Sequence, residues 1–213
     1  MTDVEGLLRA HAPRALGALV RRRGDFADAE DTMQEAMLAA SRDWPSQGVP
    51  DDPTAWLVRV GDRRLVDSWR SDSSRRRRED LYEVGQGEVA DTDDSLELLL
   101  LCCHPALTLP SQVALTLRAV GGLTTEQIAR GFLVPTATMA QRISRAKALI
   151  RAAGARFELP EPGALPGRIA AVATVVYLVF TEGHTASSGD SLVRIELADE
   201  AVRLGRLLLA RVR

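Results

Sequence analysis

Apolar residues recur at three- and four-residue steps along the first fifty positions. Leu8, Ala12, Ala15, Leu16 and Leu19 form one such stripe, with arginines between them. That spacing predicts a helix over about residues 4–23, and Gly24 is placed to end it as a C′ residue. Asp25 then caps a second helix, with Asp28 three positions on in the manner of a capping box. Its buried stripe is expected at Ala29, Met33, Ala36, Met37 and Ala40, and its outer face at Asp28, Asp31, Gln34 and Glu35. Residues 44–52 contain Pro45, Gly48 and Pro50 and read as a loop. Asp52 caps a third helix whose first turn holds Pro53. On it, Leu57, Val60, Gly61, Arg64 and Leu65 share one face; Trp56, Arg59, Arg63, Asp67 and Arg70 share another.

The pattern then changes. Four arginines, at positions 75–78, precede an acidic stretch over residues 79–95 with glycines at 85 and 87, which reads as an exposed linker. Helical spacing resumes near Ser95 with Leu96, Leu99, Leu100 and Cys103, and breaks at Pro105. After Pro110 a helix runs through Val113, Leu117 and Val120 to Gly121 and Gly122. Two short helices follow, over 125–132 and 135–151. Residues 158–167 carry three prolines and two glycines, a second linker. Two further helical stretches are expected over 168–182 and about 193–212. The last has an apolar stripe (Val193, Leu197, Ala201, Leu204, Leu208) with no partner after it in sequence. Either the chain is part of something longer or this tail docks onto the body. The expected fold is all-α. Two small helical domains, residues 1–78 and 96–156, are joined by the acidic linker 79–95. A Pro-rich linker, 157–167, leads to a helical extension, 168–213, expected to be incomplete.

Composition supports helix over sheet: 46% of the 213 residues are hydrophobic and only 4% aromatic. Net charge is −2, yet the charges are segregated. Residues 79–97 hold eight acids and no base. Residues 113–156 hold seven bases and one acid, Glu126. Lys147 is the single lysine, so arginine supplies nearly all positive charge, a bias suited to phosphates and base edges. The two cysteines, Cys102 and Cys103, are adjacent. They cannot build a disulfide framework, which points to a reducing, cytoplasmic setting, with one thiol buried and one partly buried. The apolar run 169–180 is too short to span a membrane, and no apolar signal segment opens the sequence.

Enzymatic chemistry finds little support. His11, His104 and His184 lie in three separate segments. Consecutive Cys-Cys-His cannot wrap one tetrahedral zinc ion. Residues 181–189 match neither a phosphate loop nor a nucleophile elbow. No catalytic residue, metal or cofactor is expected.

The string LTTEQIARGFLVPTATMAQRISRAKALIR, residues 123–151, has the spacing of a helix-turn-helix. Thr124 caps the first helix, with Gln127 three positions on. Ile128 and Ala129 face inward, Leu133 and Val134 make the turn, and Pro135 starts the second helix. Met139, Ile143, Ala146 and Ile150 form the inner stripe. That leaves Thr136, Thr138, Gln141, Arg142 and Arg145 outward, where a recognition helix meets the major groove. Arg142 and Gln141 suit guanine and adenine edges; Arg145, Lys147 and Arg151 suit phosphates. The alternative is a helical hairpin in an ordinary bundle, its arginines a solvated face.

Two strings resemble a known family. DAEDTMQEAMLAA (28–40), followed by PTAWLVRVGDRRLVDSWR (53–70), is similar to conserved region 2 of sigma-70-type RNA polymerase sigma factors. Residues 123–151 resemble their region 4. With no recognisable regions 1 and 3, the chain resembles the extracytoplasmic-function (ECF) group over about residues 4–153. CCHPAL (102–107) and VYLVFTEGHTASSG (176–189) resemble a subgroup with a long tetratricopeptide-like C-terminal extension.

The resemblance implies a set of roles. Asp28, Asp31, Gln34 and Glu35 would dock on a coiled coil of the largest subunit of core RNA polymerase, and region 4 on its flap. Trp56, Arg59, Arg63 and Arg70 would meet and open the promoter −10 element. Thr136, Thr138, Gln141, Arg142, Arg145 and Lys147 would read double-stranded −35 DNA. Residues 44–52 match the segment holding a flipped −10 base, and the acidic linker would run through the polymerase channel. Asp62 departs from the pattern, since such factors carry Arg there; it is expected to pair with Arg59 or Arg63. Neither a membrane nor a separate anti-sigma protein is implied. The function so implied is promoter-specific transcription initiation. A stand-alone helix-turn-helix regulator is the alternative, and a helical adaptor a further one. The extension from about Arg168 is the candidate regulatory element.

Overall fold

The computed structural model describes residues 3–73, 94–184 and 192–212, with the side chains of residues 23, 65–73, 182–184, 192–196 and 211–212 outside the description. All regular structure among the described residues is helical. The chain divides into two compact units, residues 1–93 and 94–213.

The first unit is a bundle of α1 (Val4–Arg23), α2 (Phe26–Gln47) and α3 (Pro53–Ser73), each packed on the other two. Asp3 caps α1, accepting from the Gly6 amide at 2.9 Å. Gly24 ends it in the left-handed conformation, φ 77°, donating to the Val20 carbonyl. The predicted stripe of Leu8, Ala12, Ala15, Leu16 and Leu19 is buried throughout. Against it lie Ala29, Met33, Ala36 and Ala40 of α2, while Met37 is only half-buried. Helix α3 contributes Leu57 and Val58, both essentially inaccessible. Gly61 lets α3 approach α1: a Cβ there would stand 2.7 Å from Leu19 Cδ1.

The expected loop over residues 44–52 is shorter, because α2 continues through Pro45 to Gln47. A proline so near a helix end removes only one intrahelical bond. The last turn is held by Trp44, which is buried and packs edge-to-face on Trp56 with centroids 5.5 Å apart. Gly48, φ 89°, then closes the helix by donating to the Trp44 carbonyl.

The second unit contains α4 (Ser95–Cys102), α5 (Leu109–Ala119), α6 (Thr125–Gly131), α7 (Thr136–Ala152), α8 (Leu165–His184) and α9 (Leu192–Val212). Helix α4 is buried at every position but Glu97, so its sequence shows no single apolar face. Both cysteines are buried, correcting the expectation of one partly exposed thiol. Helix α8 starts at Leu165, inside the expected linker. Pro166 lies in its first turn, where a missing N–H costs nothing, and the Glu161 carbonyl accepts from Ala164 and Leu165.

The larger difference concerns the C-terminal helices, which form no separate domain. Helices α8 and α9 pair as a hairpin, and between them they pack on α4, α5 and α6. Leu197 of α9 sits against Gly131 of α6, where a Cβ would be 2.7 Å from Leu197 Cδ1. Arg203 of α9, chelated by Glu200, donates to the Val120 carbonyl at 2.7 Å. Arg168 of α8 donates to the Leu100 carbonyl. Leu197, Ala201, Leu204 and Leu208 are thereby buried, so the stripe that had no partner after it in sequence is docked on the body of the unit. The residue-75–78 arginines and the acidic segment 79–93 lie outside the described residues.

Candidate nucleic-acid interface

The turn between α6 and α7 is built by local chemistry. Thr124 Oγ1 accepts from the Gln127 amide at 3.1 Å, and Gln127 Oε1 accepts from the Thr124 amide at 2.8 Å, a complete capping box. Helix α6 ends with the Val134 amide donating to the Ala129 carbonyl across Leu133, which is left-handed at φ 51° and 77% exposed. That is a Schellman closure made with leucine where glycine is usual. Pro135 N-caps α7, its carbonyl accepting from Thr138 and Met139. Ile128, Ala129, Met139, Ile143, Ala146 and Ile150 are all buried, as their spacing predicted.

On α7, Thr136, Thr138, Gln141 and Arg145 are exposed, as is Arg151 near its end. Arg142 is half-buried on the shoulder of the helix. Lys147 is different. It stands four positions after Ile143 and three before Ile150, which puts it on the inner edge, and only 9% of it is accessible. Its charge assigned it to DNA phosphates; packing of the unit covers most of that side of α7. No acid occurs anywhere on α7, so the displayed face is uniformly cationic or neutral.

In the first unit, Asp25 caps α2 by accepting from the Asp28 amide at 3.0 Å. Asp31 and Glu35 are exposed and Asp28 and Gln34 half-buried, on the side away from Met33 and Ala36. Acids over the first turns of a helix also suit its dipole. Arg59, Arg63 and Arg64 of α3 are exposed. Arg64, which shares a face with Leu57 and Gly61 by spacing, approaches Glu35 at 3.8 Å. Trp56 is half-buried, held by its edge contact with Trp44. The Arg70 side chain lies outside the described residues.

Asp62 points inward and is 8% accessible. Its partner is Arg22 of α1, with Oδ2 2.9 Å from Nη1, rather than Arg59 or Arg63. Asp62 thus ties α3 to α1 and leaves Arg59 and Arg63 outward. Sequence reasoning missed this because the two residues are forty positions apart.

Perturbed titrations fall elsewhere in the second unit. Burial pushes the Cys103 thiol up to about 11, against a contact with the Thr116 hydroxyl and the nearby Arg168 charge that favour the thiolate. Burial, then Arg168, hold the His104 imidazole below its ordinary value, and its Nδ1 accepts from the Ala106 amide. Among the described residues no group of three or more His, Cys, Asp or Glu side chains converges as a metal site, and no helix is long and apolar enough to cross a membrane.

Comparison with known proteins places these faces in a wider pattern. Residues 7–75 match the model for sigma-70 region 2, residues 97–150 that for sigma-70 region 4, and residues 168–213 a family of unknown function. An uncharacterised protein of Rhizobium meliloti is 44% identical over 98% of this chain and 53% of its own length. A probable ECF RNA polymerase sigma factor, SigI of Mycobacterium tuberculosis, is 30% identical over 68% of this chain and 53% of its own length. The chain thus spans about half the length of the curated relatives it matches.

Proposed function

We propose, from the premise that the chain belongs to the sigma-70 family of ECF type, that it binds core RNA polymerase and directs promoter-specific initiation. The observation that carries this reading is the pairing of two different displayed faces in the expected chain order. The first is acidic, on α2 (Asp28, Asp31, Gln34, Glu35); the second, on α7, is free of acids. An acidic face suits a basic surface such as the polymerase coiled coil, and complementarity of this kind raises on-rate and fixes register. The acid-free face of α7 suits double-stranded −35 DNA. Thr136, Thr138 and Gln141 lie near its N-terminus for base edges, with Arg145 on phosphate and Arg142 reaching from the shoulder.

On α3, Trp56 is the aromatic against which an unstacked −10 base would lie, with Arg59 and Arg63 on the strand backbone and Arg70 in line further along. The extension, by its docking on α4, α5 and α6, acts as part of the −35 unit. Gel filtration with purified core polymerase tests the first step. The chain is expected to co-elute, and the Asp31→Lys/Glu35→Lys variant to elute free. Co-elution unaffected by the double reversal would remove α2 from the docking surface. A wild-type chain that never co-elutes would leave a stand-alone DNA-binding regulator.

A further inference from the structure

Beside the helix-turn-helix, within the second unit, lies a cavity of about 230 Å³. Its walls include Pro110, Val113 and Ala114 of α5, Met139 of α7 and Leu178 of α8. Apart from Arg142 and Thr181, every lining side chain is hydrocarbon or thioether. The volume is below the ~300–1,000 Å³ of most small-molecule sites, so an occupant must be short. Three separately encoded segments build the walls, and the third is the C-terminal hairpin. Helix α8, packed on α5, thus completes the cavity.

Arg142 gives the cavity its chemical character. It is half-buried, and among the described residues its guanidinium makes no ion pair and no hydrogen bond. A guanidinium at the cavity wall without a counter-charge is open to an anion, and a carboxylate satisfies it with two parallel charge-assisted bonds. An inorganic anion would answer the charge and leave the apolar walls wet. A neutral hydrocarbon would fill the walls and leave Arg142 unanswered. We propose that this cavity binds a short aliphatic carboxylate, its chain among the apolar walls and its carboxylate on Arg142. Where Arg142 also reaches DNA, ligand and promoter compete for it. That consequence rests on the function proposed above; the binding itself does not.

Binding is read without DNA or polymerase, on the full chain carrying ¹³C-methyl methionine. Met139 lines the cavity, whereas Met33 and Met37 lie in the first unit and serve as internal controls. Titration with sodium octanoate is expected to shift the Met139 methyl in a saturable way and to leave Met33 and Met37 in place. 1-Octanol and sodium phosphate are expected to bind at least tenfold more weakly. Arg142→Gln, on a half-exposed position, is expected to reduce octanoate to the level of octanol while the other methyl resonances stay native. Four results would overturn the proposal: no Met139 response to octanoate, equal movement of all methyls, unchanged octanoate binding by Arg142→Gln, or a Met139 shift that follows protein concentration alone. The last would assign the cavity to a second copy of the chain.

Discussion

Gly131 and Leu197 offer a sharp test of whether the C-terminal hairpin and the helix-turn-helix are one body. They lie sixty-six positions apart in sequence, and a Cβ on residue 131 would come within 2.7 Å of Leu197 Cδ1. Leu197→Ala deletes a fully buried side chain, at a cost of about 2–5 kcal/mol depending on how far the site collapses. Gly131→Ala inserts a methyl into an occupied space, at about 1–3 kcal/mol, offset by roughly 0.5–1 kcal/mol of relieved backbone entropy. Combined, the added methyl enters the space the leucine vacated. The double variant should therefore be more stable than the sum of the singles by about 1–3 kcal/mol. Hydrogen exchange resolved by peptide, read on α6 and α7, gives the local opening free energy of the unit. Leu197→Ala, a change on α9, should lower protection in α6 and α7. Additivity within ~0.5 kcal/mol, or protection in α6 and α7 untouched by Leu197→Ala, would refute the contact.

Two further outcomes follow from buried groups. Arg22→Ala strips the ion pair from a carboxylate that is 8% accessible, so the first unit should lose about 1–3 kcal/mol in urea unfolding. Tryptophan fluorescence reports that unit alone, since Trp44, Trp56 and Trp69 all lie in it; an unchanged midpoint would refute the role given to Asp62. Cys102 and Cys103 should resist thiol reagents in the native state and react only on unfolding, and rapid native labelling would contradict their burial. The sign of the linked pH effect is fixed. The Cys103 pKa is raised from 9.0 to about 11, so its stabilisation is complete below 9 and lost as pH rises toward 11, because the unfolded thiol ionises first.

Much of this architecture was legible in the residues. The helix-turn-helix stripe, the Thr124–Gln127 capping box, the caps at Asp25 and Asp52 and the stop at Gly24 all depend on neighbours within four positions, and periodicity reports those directly. Failures came where a distant partner decides. Lys147 was given to phosphates by its charge, yet the packed unit covers its edge of α7. Asp62 found Arg22 across the bundle. Pro45 and Pro166 signalled loops, yet one sits in a turn anchored by Trp44 and the other in a first turn that needs no N–H. Residues 168–213 looked like an appendage because an amphipathic stripe does not say what it covers. Gly131 was the available clue, a small residue ending α6 where a leucine had to fit.

The reading as a sigma factor is tested most directly by run-off transcription with purified core polymerase. The template should be a promoter selected by the reconstituted holoenzyme from a random −35/−10 library. The chain should confer a discrete transcript that core enzyme alone does not give. Arg145→Ala should lower its yield, and scrambling the −35 element should abolish it. Equal transcription from scrambled and intact −35 templates, or no transcript from any selected sequence, would contradict the assignment.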